Sequence, residues 1–199
     1  MTFDIQTAHS VQEIGQETWE RLGDGRPFAS YRWYRFSETL LTNDHPFYIL
    51  LYQGGDPIAR AAFWPKRDEP MPLGSSMALH LMQALIRRRP LLMCQAGLAS
   101  TTGLILPPPP LRDLALREIT RVAQTFEKKN RASFVLFPYL ERPETIWLGW
   151  TDAFASATVP GPGTRLLISW PDFESYLEHL SKSVKKDYRR HRNRAAELN

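Results

Sequence analysis

Seven cations crowd the last stretch of the chain: Lys182, Lys185, Lys186, Arg189, Arg190, Arg192 and Arg194. Only Asp187 and Glu197 offset them, so residues 182–199 carry +5 of a whole-chain net charge of +4, and the rest is nearly neutral. Clustered Lys and Arg hold phosphate oxygens, Lys as a point charge and Arg as a planar fork. These seven residues form the candidate substrate- and anion-binding set. A phosphorylated substrate, a tRNA, unrelated nucleic acid or an anionic membrane surface would suit them. So would an ordinary solvated helix face.

Other reactive side chains give weaker signals. Glu38, Asp68 and Glu141 are of the type that serves as a general base, but nothing in the sequence pairs them, and each reads first as solvated. His9, His45, His80, His179 and His191 are scattered, with no ligand spacing, so no metal site is expected. Cys94 is the single cysteine and lies in the apolar run Leu91-Leu92-Met93-Cys94, which reads as a buried small hydrophobe. One cysteine excludes an intrachain disulfide. No Gly-x-Ser-x-Gly elbow and no Walker loop appears. The catalytic residues therefore stay unassigned.

The elements that would carry these groups follow from periodicity and breakers. Phe3 to Ile5 suggests an opening strand. Ser10 with Glu13 makes a capping-box pattern for a helix bearing Val11, Ile14, Thr18 and Leu22. Gly23 to Pro27 ends it, and a second helix starts at Ser30 with Trp33, Phe36 and Leu40/Leu41. Phe47 to Tyr52 and Ile58 to Trp64 read as a hairpin around Gln53-Gly54-Gly55-Asp56-Pro57. Residues 66–73 read as a loop. A helix over 75–87 ends in Arg87-Arg88-Arg89 before Pro90, where cations suit the negative end of the dipole. Leu91 to Cys94 is a strand, Gly97 to Gly103 a loop, and Pro107 to Pro110 a stiff connector.

The 111–129 helix shows Leu111, Leu114, Ala115, Ile119, Val122, Ala123 and Phe126 on one face. Ala132 to Phe137 reads as a buried strand, and Trp147 to Ala157 and Arg165 to Ser169 as further strands around a Pro-Gly turn. A long terminal helix, capped by Ser169 or Asp172, would carry Phe173, Leu177, Leu180, Val184, Tyr188, His191, Ala195 and Leu198. That pattern is still in register at Leu198, so continuation of the helix or folding on a partner is expected.

This order is an α/β (α+β) mixture with a central mixed sheet flanked by helices and a long basic C-terminal helix. Hydrophobic residues are 43% and charged residues 23%, which excludes a disordered chain. The first residues lack the basic start and apolar run of a signal peptide, and a cytoplasmic location is the expectation.

Two early helices, a hairpin and then helix 111–129 with strand 132–137 resemble the GNAT acetyltransferase fold. Two segments are more specific. In the first, Trp19, Pro27-Phe28, Ser30 and Trp33 resemble the opening of Fem-type peptidoglycan aminoacyltransferases. In the second, Tyr176, Leu177, Leu180, Ser181, Lys185, Lys186, Tyr188, Arg189, Arg190 and Ala195 resemble the junction where such tandem proteins pass from one GNAT-like half to the next. Ser37 and Glu38 stand where that family often has a phosphate-holding Lys, a departure that weakens the muropeptide reading.

The resemblance implies a GNAT-like domain over 1–170 and a basic junction helix over 171–199, leading to a second GNAT-like domain. It implies N-acyl transfer to an amine, with a peptidoglycan precursor as one acceptor and acyl-CoA or aminoacyl-tRNA as donor. GNAT enzymes cradle the CoA pyrophosphate on N–H groups of an Arg/Gln-x-x-Gly-x-Gly/Ala loop that opens a helix. Both available helix starts fail that test. Leu106 to Leu111 is filled with prolines, and Gly74-Ser75-Ser76 has one glycine and no preceding Arg. No cofactor site is expected within this chain, and an acceptor-shaping role is. The other reading is a catalytically silent GNAT-fold module that binds nucleic acid or another anion through its basic helix.

Overall fold

The structure is a computed structural model describing residues 2–23, 25–26, 28–67, 77–140 and 169–197. They belong to two compact units, Met1–Thr158 and Val159–Asn199. The expected strands at 147–157 and 165–169, Asp68, Glu141 and Leu198 fall outside the described residues, apart from Ser169.

The first unit is built on one sheet. β1 (Asp4–Ala8) pairs antiparallel with β2 (Phe47–Gln53), and β2 with β3 (Asp56–Lys66). The β2–β3 turn is tighter than the sequence suggests. Gln53 pairs with Asp56, and only Gly54 (φ 61°) and Gly55 (φ 89°) lie between, the left-handed pair that a two-residue hairpin requires. On its other edge β3 pairs antiparallel with β4 (Leu91–Cys94) and, further along, with β5 (Leu104–Ile105). β6 (Phe134–Leu136) then lies parallel to β4. Phe134 and Leu136 are exposed, unlike the buried strand its composition suggests, and among the described residues β6 is the last strand on this side of the sheet.

Alternation divides β2 and β3 into two faces. Phe47, Ile49, Leu51, Ala59, Ala61 and Phe63 pack with Leu92 and Cys94 against α5 (Arg112–Lys129) through Ala115, Leu116, Ile119 and Ala123. The helix lies rotated from the expected face, since Leu116 is buried while Leu114 is 39% exposed. Tyr48, Leu50, Ala62 and Trp64 face the other way. They pack on α1 (Val11–Ile14), α2 (Gln16–Arg21) and α3 (Tyr31–Leu40) through Val11, Ile14, Trp19 and Tyr34.

The expected single helix from Ser10 is two short ones, because Gly15 adopts φ 86° between them. Ser10 caps α1 through Gln12 N, and Glu13 reaches back to His9 N. Ser30 caps α3 through Trp33 N, as its type suggests. The buried face of α3 is Tyr34 and Ser37, and Phe36 and Leu40 are exposed. α4 (Met77–Arg88) ends as expected in cations. Arg67 donates to Arg87 O, and Arg89 donates to Arg131 O and Ala132 O, tying that helix end to the approach to β6.

In the second unit the terminal helix is two pieces, α6 (Phe173–His179) and α7 (Lys182–Ala196). Leu180 leaves the helical region (ψ 154°), and Ser181 restarts the chain by accepting from Val184 N. Asp172 caps α6 through Ser175 N at 2.7 Å. No helix among the described residues is long and apolar enough to cross a membrane.

Candidate functional site

The site begins with one residue in the wrong company. Arg60 is a lone cation in the strand segment Ile58-Ala59-Arg60-Ala61-Ala62, and it is 1% exposed. It shares a face with Tyr48 and Trp64, and the small Ala62 beside it leaves room for a guanidinium. Nη1 donates to Trp19 O at 3.1 Å and Nη2 to Ala29 O at 2.7 Å. The guanidinium carbon sits 3.9 Å from the Trp19 ring centroid and 5.7 Å from that of Tyr34. Trp19 Nε1 donates to the same Ala29 carbonyl, so strand β3, the end of α2 and the entry to α3 meet on one oxygen. Burial pulls the Arg60 pKa from 12.5 down to about 10, against the smaller opposing influences of Tyr34 and the Glu20 carboxylate.

A loop brings hydroxyls beside this cation. β3 pairs with Cys94 at Phe63 and with Ile105 at Arg60, so residues between β4 and β5 bulge out of one continuous edge. A Gln95–Thr102 bridge closes the neck of the bulge. Gln95 N donates to Ala62 O, Ala62 N to Gly103 O, and Ala96 N to Thr101 O. Trp33 Nε1 donates to Ala96 O, fastening the loop to α3.

Gly103 has no room for a side chain. A Cβ there would lie 2.7 Å from both Ala62 O and Gln95 O. Gly103→Ala is expected to destabilise the protein by roughly 2 kcal/mol through forced separation of the two strands. Urea unfolding at equilibrium measures this, with Ser100→Ala as a neighbouring substitution expected to stay within about 0.5 kcal/mol.

Between the loop and the α1–α3 face lies a cavity of about 430 Å³. Arg60 and Tyr34 line it with Ala29, Arg26, the 100–103 loop, Ile105 and Tyr139. It opens beyond the carboxyl ends of β4 and β6, the parallel pair, where crevices in such sheets take ligands. Tyr139 follows β6 and holds a left-handed backbone (φ 59°), a strained state for a bulky residue. Arg26 is exposed, and its Nη1 approaches Leu104 O at 3.5 Å. Thr101 Oγ1 is buried and has no hydrogen-bond partner among the described residues.

The described lining contains two arginines and several hydroxyls, and no carboxylate, imidazole or thiol. Burial raises the Tyr34 phenol well above its ordinary range, so it holds its proton at neutral pH. This arrangement can hold and orient a ligand. Its described side chains are not of the carboxylate or imidazole type that serves as a general base.

The groups singled out in the sequence sit elsewhere. Glu38 is engaged rather than solvated: it accepts from Ser10 Oγ, Val11 N and Tyr48 Oη at 2.9, 2.7 and 2.8 Å, which fixes α1 to α3 and β2. Cys94 is fully buried, as its apolar run suggests, and burial pushes its thiol far up. Prolines 107–110 lead into α5, and Leu111 caps the helix with no side-chain hydrogen bond. Of the seven C-terminal cations, Lys185, Arg189 and Arg192 share a groove of about 330 Å³ with Leu177, Glu178 and Tyr188. Lys185 Nζ donates to Glu178 O at 2.8 Å, and Arg190 pairs with Asp187 at 3.3 Å. Lys182, Lys186, Arg190 and Arg194 lie off that groove. Sequence reasoning missed Arg60 and the 100–103 loop. The available signal was an arginine inside an otherwise apolar strand, since Arg is almost never fully buried without a reason.

No family model matches the chain, and no curated protein matches it in sequence. Solved structures do resemble it. An aminoglycoside 6'-N-acetyltransferase from Acinetobacter haemolyticus is 13% identical with a TM-score of 0.53, the match covering 82% of this chain and 99% of that one. A ribosomal-protein-alanine N-acetyltransferase from Brucella melitensis biovar Abortus 2308 is 12% identical with a TM-score of 0.50, covering 83% and 100%. A further aminoglycoside acetyltransferase, solved with a bisubstrate analogue of CoA, is 17% identical with a TM-score of 0.50, covering 83% and 100%. The fold is that of the GNAT N-acetyltransferases, a mixed sheet flanked by helices.

Proposed function

We propose that this chain is the acceptor-shaping GNAT-like half of an N-acyltransferase, as the Fem-type resemblance implies. In such a reaction the amine nitrogen of the acceptor attacks the acyl carbon of a thioester or ester. The donor's sulfur or oxygen leaves, and the nitrogen gives up one proton. Acyl-CoA or aminoacyl-tRNA is the donor class, and an amine-bearing cell-wall precursor is one acceptor class.

One contrast carries the reading. The cavity holds cations and hydroxyls that bind and orient, and it has no described base to take the amine's proton. The opposite face supports the same division. There the loop into α5 is Pro107 to Pro110, which has no N–H groups to add to those of the helix start in cradling a pyrophosphate. Donor binding and proton transfer are accordingly assigned to a second GNAT-like domain beyond the junction that α6 and α7 resemble. The basic residues of α7 then serve a tRNA or another extended polyanion.

Isothermal titration of acetyl-CoA into the chain tests this. No saturable heat is expected up to about millimolar donor, a Kd weaker than roughly −4 kcal/mol of binding free energy would give. A micromolar Kd would overturn the reading and make this chain a donor-binding acetyltransferase by itself.

A further inference from the structure

We infer that the cavity floored by Arg60 is a seat for a phosphoryl group, so that the ligand it takes is a small phosphate ester. The inference rests on the acceptor-shaping reading only in calling that ligand the acceptor.

A guanidinium offers five N–H donors. Arg60 gives one each to the carbonyls of Trp19 and Ala29 and makes no other protein hydrogen bond among the described residues. Those partners are dipoles, and the Glu20 carboxylate reaches the guanidinium only through its field, with no hydrogen bond to it among the described residues. A buried charge in that position calls for an opposite charge. Arg26 stands at the mouth of the same cavity. Ser100, Thr101 and Thr102 add hydroxyls from a loop whose shape is fixed by Gly97 and Gly103, and Thr101 Oγ1 is buried there with no partner among the described residues.

Two arginines and a set of short hydroxyl donors match a tetrahedral dianion with several acceptor oxygens. A carboxylate has two oxygens and one charge, and would leave more of these donors unused. At about 430 Å³ the cavity also has space for the rest of a small molecule. Nearly inaccessible, Arg60 acts on the phosphoryl group mainly through its field, while Arg26 and the loop hydroxyls supply contacts.

The basic groove of α7 competes for the same anion, so the test must resolve position. Amide shifts of the full chain are followed while sodium phosphate is added at constant ionic strength, with sodium acetate as the comparison. Saturable shifts are expected at Ser100 to Gly103 and near Arg60, at lower concentration for phosphate than for acetate. Arg26→Ala should weaken this Kd about tenfold or more, and Thr101→Val about threefold. Arg189→Ala should leave it unchanged. Both binding variants lie on the surface or in the loop, and an unchanged amide spectrum away from the loop verifies their folds.

Shifts confined to Lys182–Arg194, equal responses to acetate, or indifference to Arg26→Ala would each overturn the proposal. Vesicles bearing a phosphomonoester headgroup form a second arm. Shifts with soluble phosphate and no sedimentation with vesicles indicate a soluble ester, and sedimentation lost in Arg26→Ala indicates a lipid-borne one. Loss of the pocket response would leave the acceptor-shaping reading standing with an uncharged acceptor. Acetyl-CoA binding would defeat that reading and leave the phosphoryl seat in place.

Discussion

Trp19→Ala is expected to destabilise the protein by about 4 kcal/mol and to lower Tm by on the order of 10 °C. The side chain is fully buried, edge-on to Tyr34 and Tyr48 at centroid distances of 4.6 and 5.3 Å, and donates to Ala29 O at 2.9 Å. Its removal opens a cavity and withdraws the aromatic surface against which Arg60 lies. The three elements joined at Ala29 O, namely α2, the entry to α3 and β3, lose their common anchor. Trp19→Phe keeps most of the buried area and loses the N–H, so about 1–2 kcal/mol is expected. Differential scanning calorimetry separates the two variants. Equal small losses for both would mean that Trp19 fills space without anchoring the segment.

Arg60→Ala is expected to cost roughly 3 kcal/mol at pH 7, and Arg60→Lys to recover little of it. The fork reaches two carbonyls at once and lies flat on the indole, which a point charge on a flexible stem does not reproduce. The loss is smaller than the sum of those contacts because removing the guanidinium also relieves its desolvation, the main cause of the fall in its pKa to about 10. The pH dependence has a definite sign. Folding lowers the Arg60 pKa, so the unfolded chain retains the proton more strongly between about 10 and the ordinary value of 12.5. Stability contributed at this position is therefore lowest below about pH 10 and rises above it. Compared with Arg60→Met, the wild-type chain should gain about 1 kcal/mol between pH 8 and 10.5 in urea unfolding. A difference that shrinks in the opposite direction would show that the guanidinium is stabilised in place, with its charge already met.

The fold was legible where local chemistry and packing agree. Ser30 caps α3, Gly54-Gly55 turns the hairpin, and the 111–129 stripe becomes the long helix under the sheet. The sequence misled where a backbone exception intervened. Gly15 splits the first helix and Leu180-Ser181 splits the last, although the apolar spacing runs through both. Periodicity records which side is apolar, and says nothing of a single φ or ψ that redirects the axis.

The site was legible only in part. Prolines ahead of α5 can be read directly, because a missing N–H is a property of the residue. Arg60 cannot, since its meaning depends on Trp19, Ala29 and the 100–103 loop, which are separated along the chain by up to 84 positions and meet only in the fold. The strongest charge signal, residues 182–194, marks an exposed helix of the second unit, and three of its cations share a groove with Tyr188. Trp19, Ser30 and Trp33, quoted for the Fem-type resemblance, prove to be the buried anchor, the cap and the loop tether around the cavity.

The central claim is that ligand binds at the Arg60 cavity and donor does not bind at α5. The most direct measurement is an amide-shift map of the chain with O-phosphoethanolamine, which joins an amine to a phosphate ester, followed by acetyl-CoA. Saturable shifts from phosphoethanolamine are expected at Arg26, Arg60, Ser100 to Gly103 and Tyr139, and none from acetyl-CoA at Arg112 to Leu116. Shifts from acetyl-CoA at the start of α5, with the cavity silent to phosphoethanolamine, would contradict it.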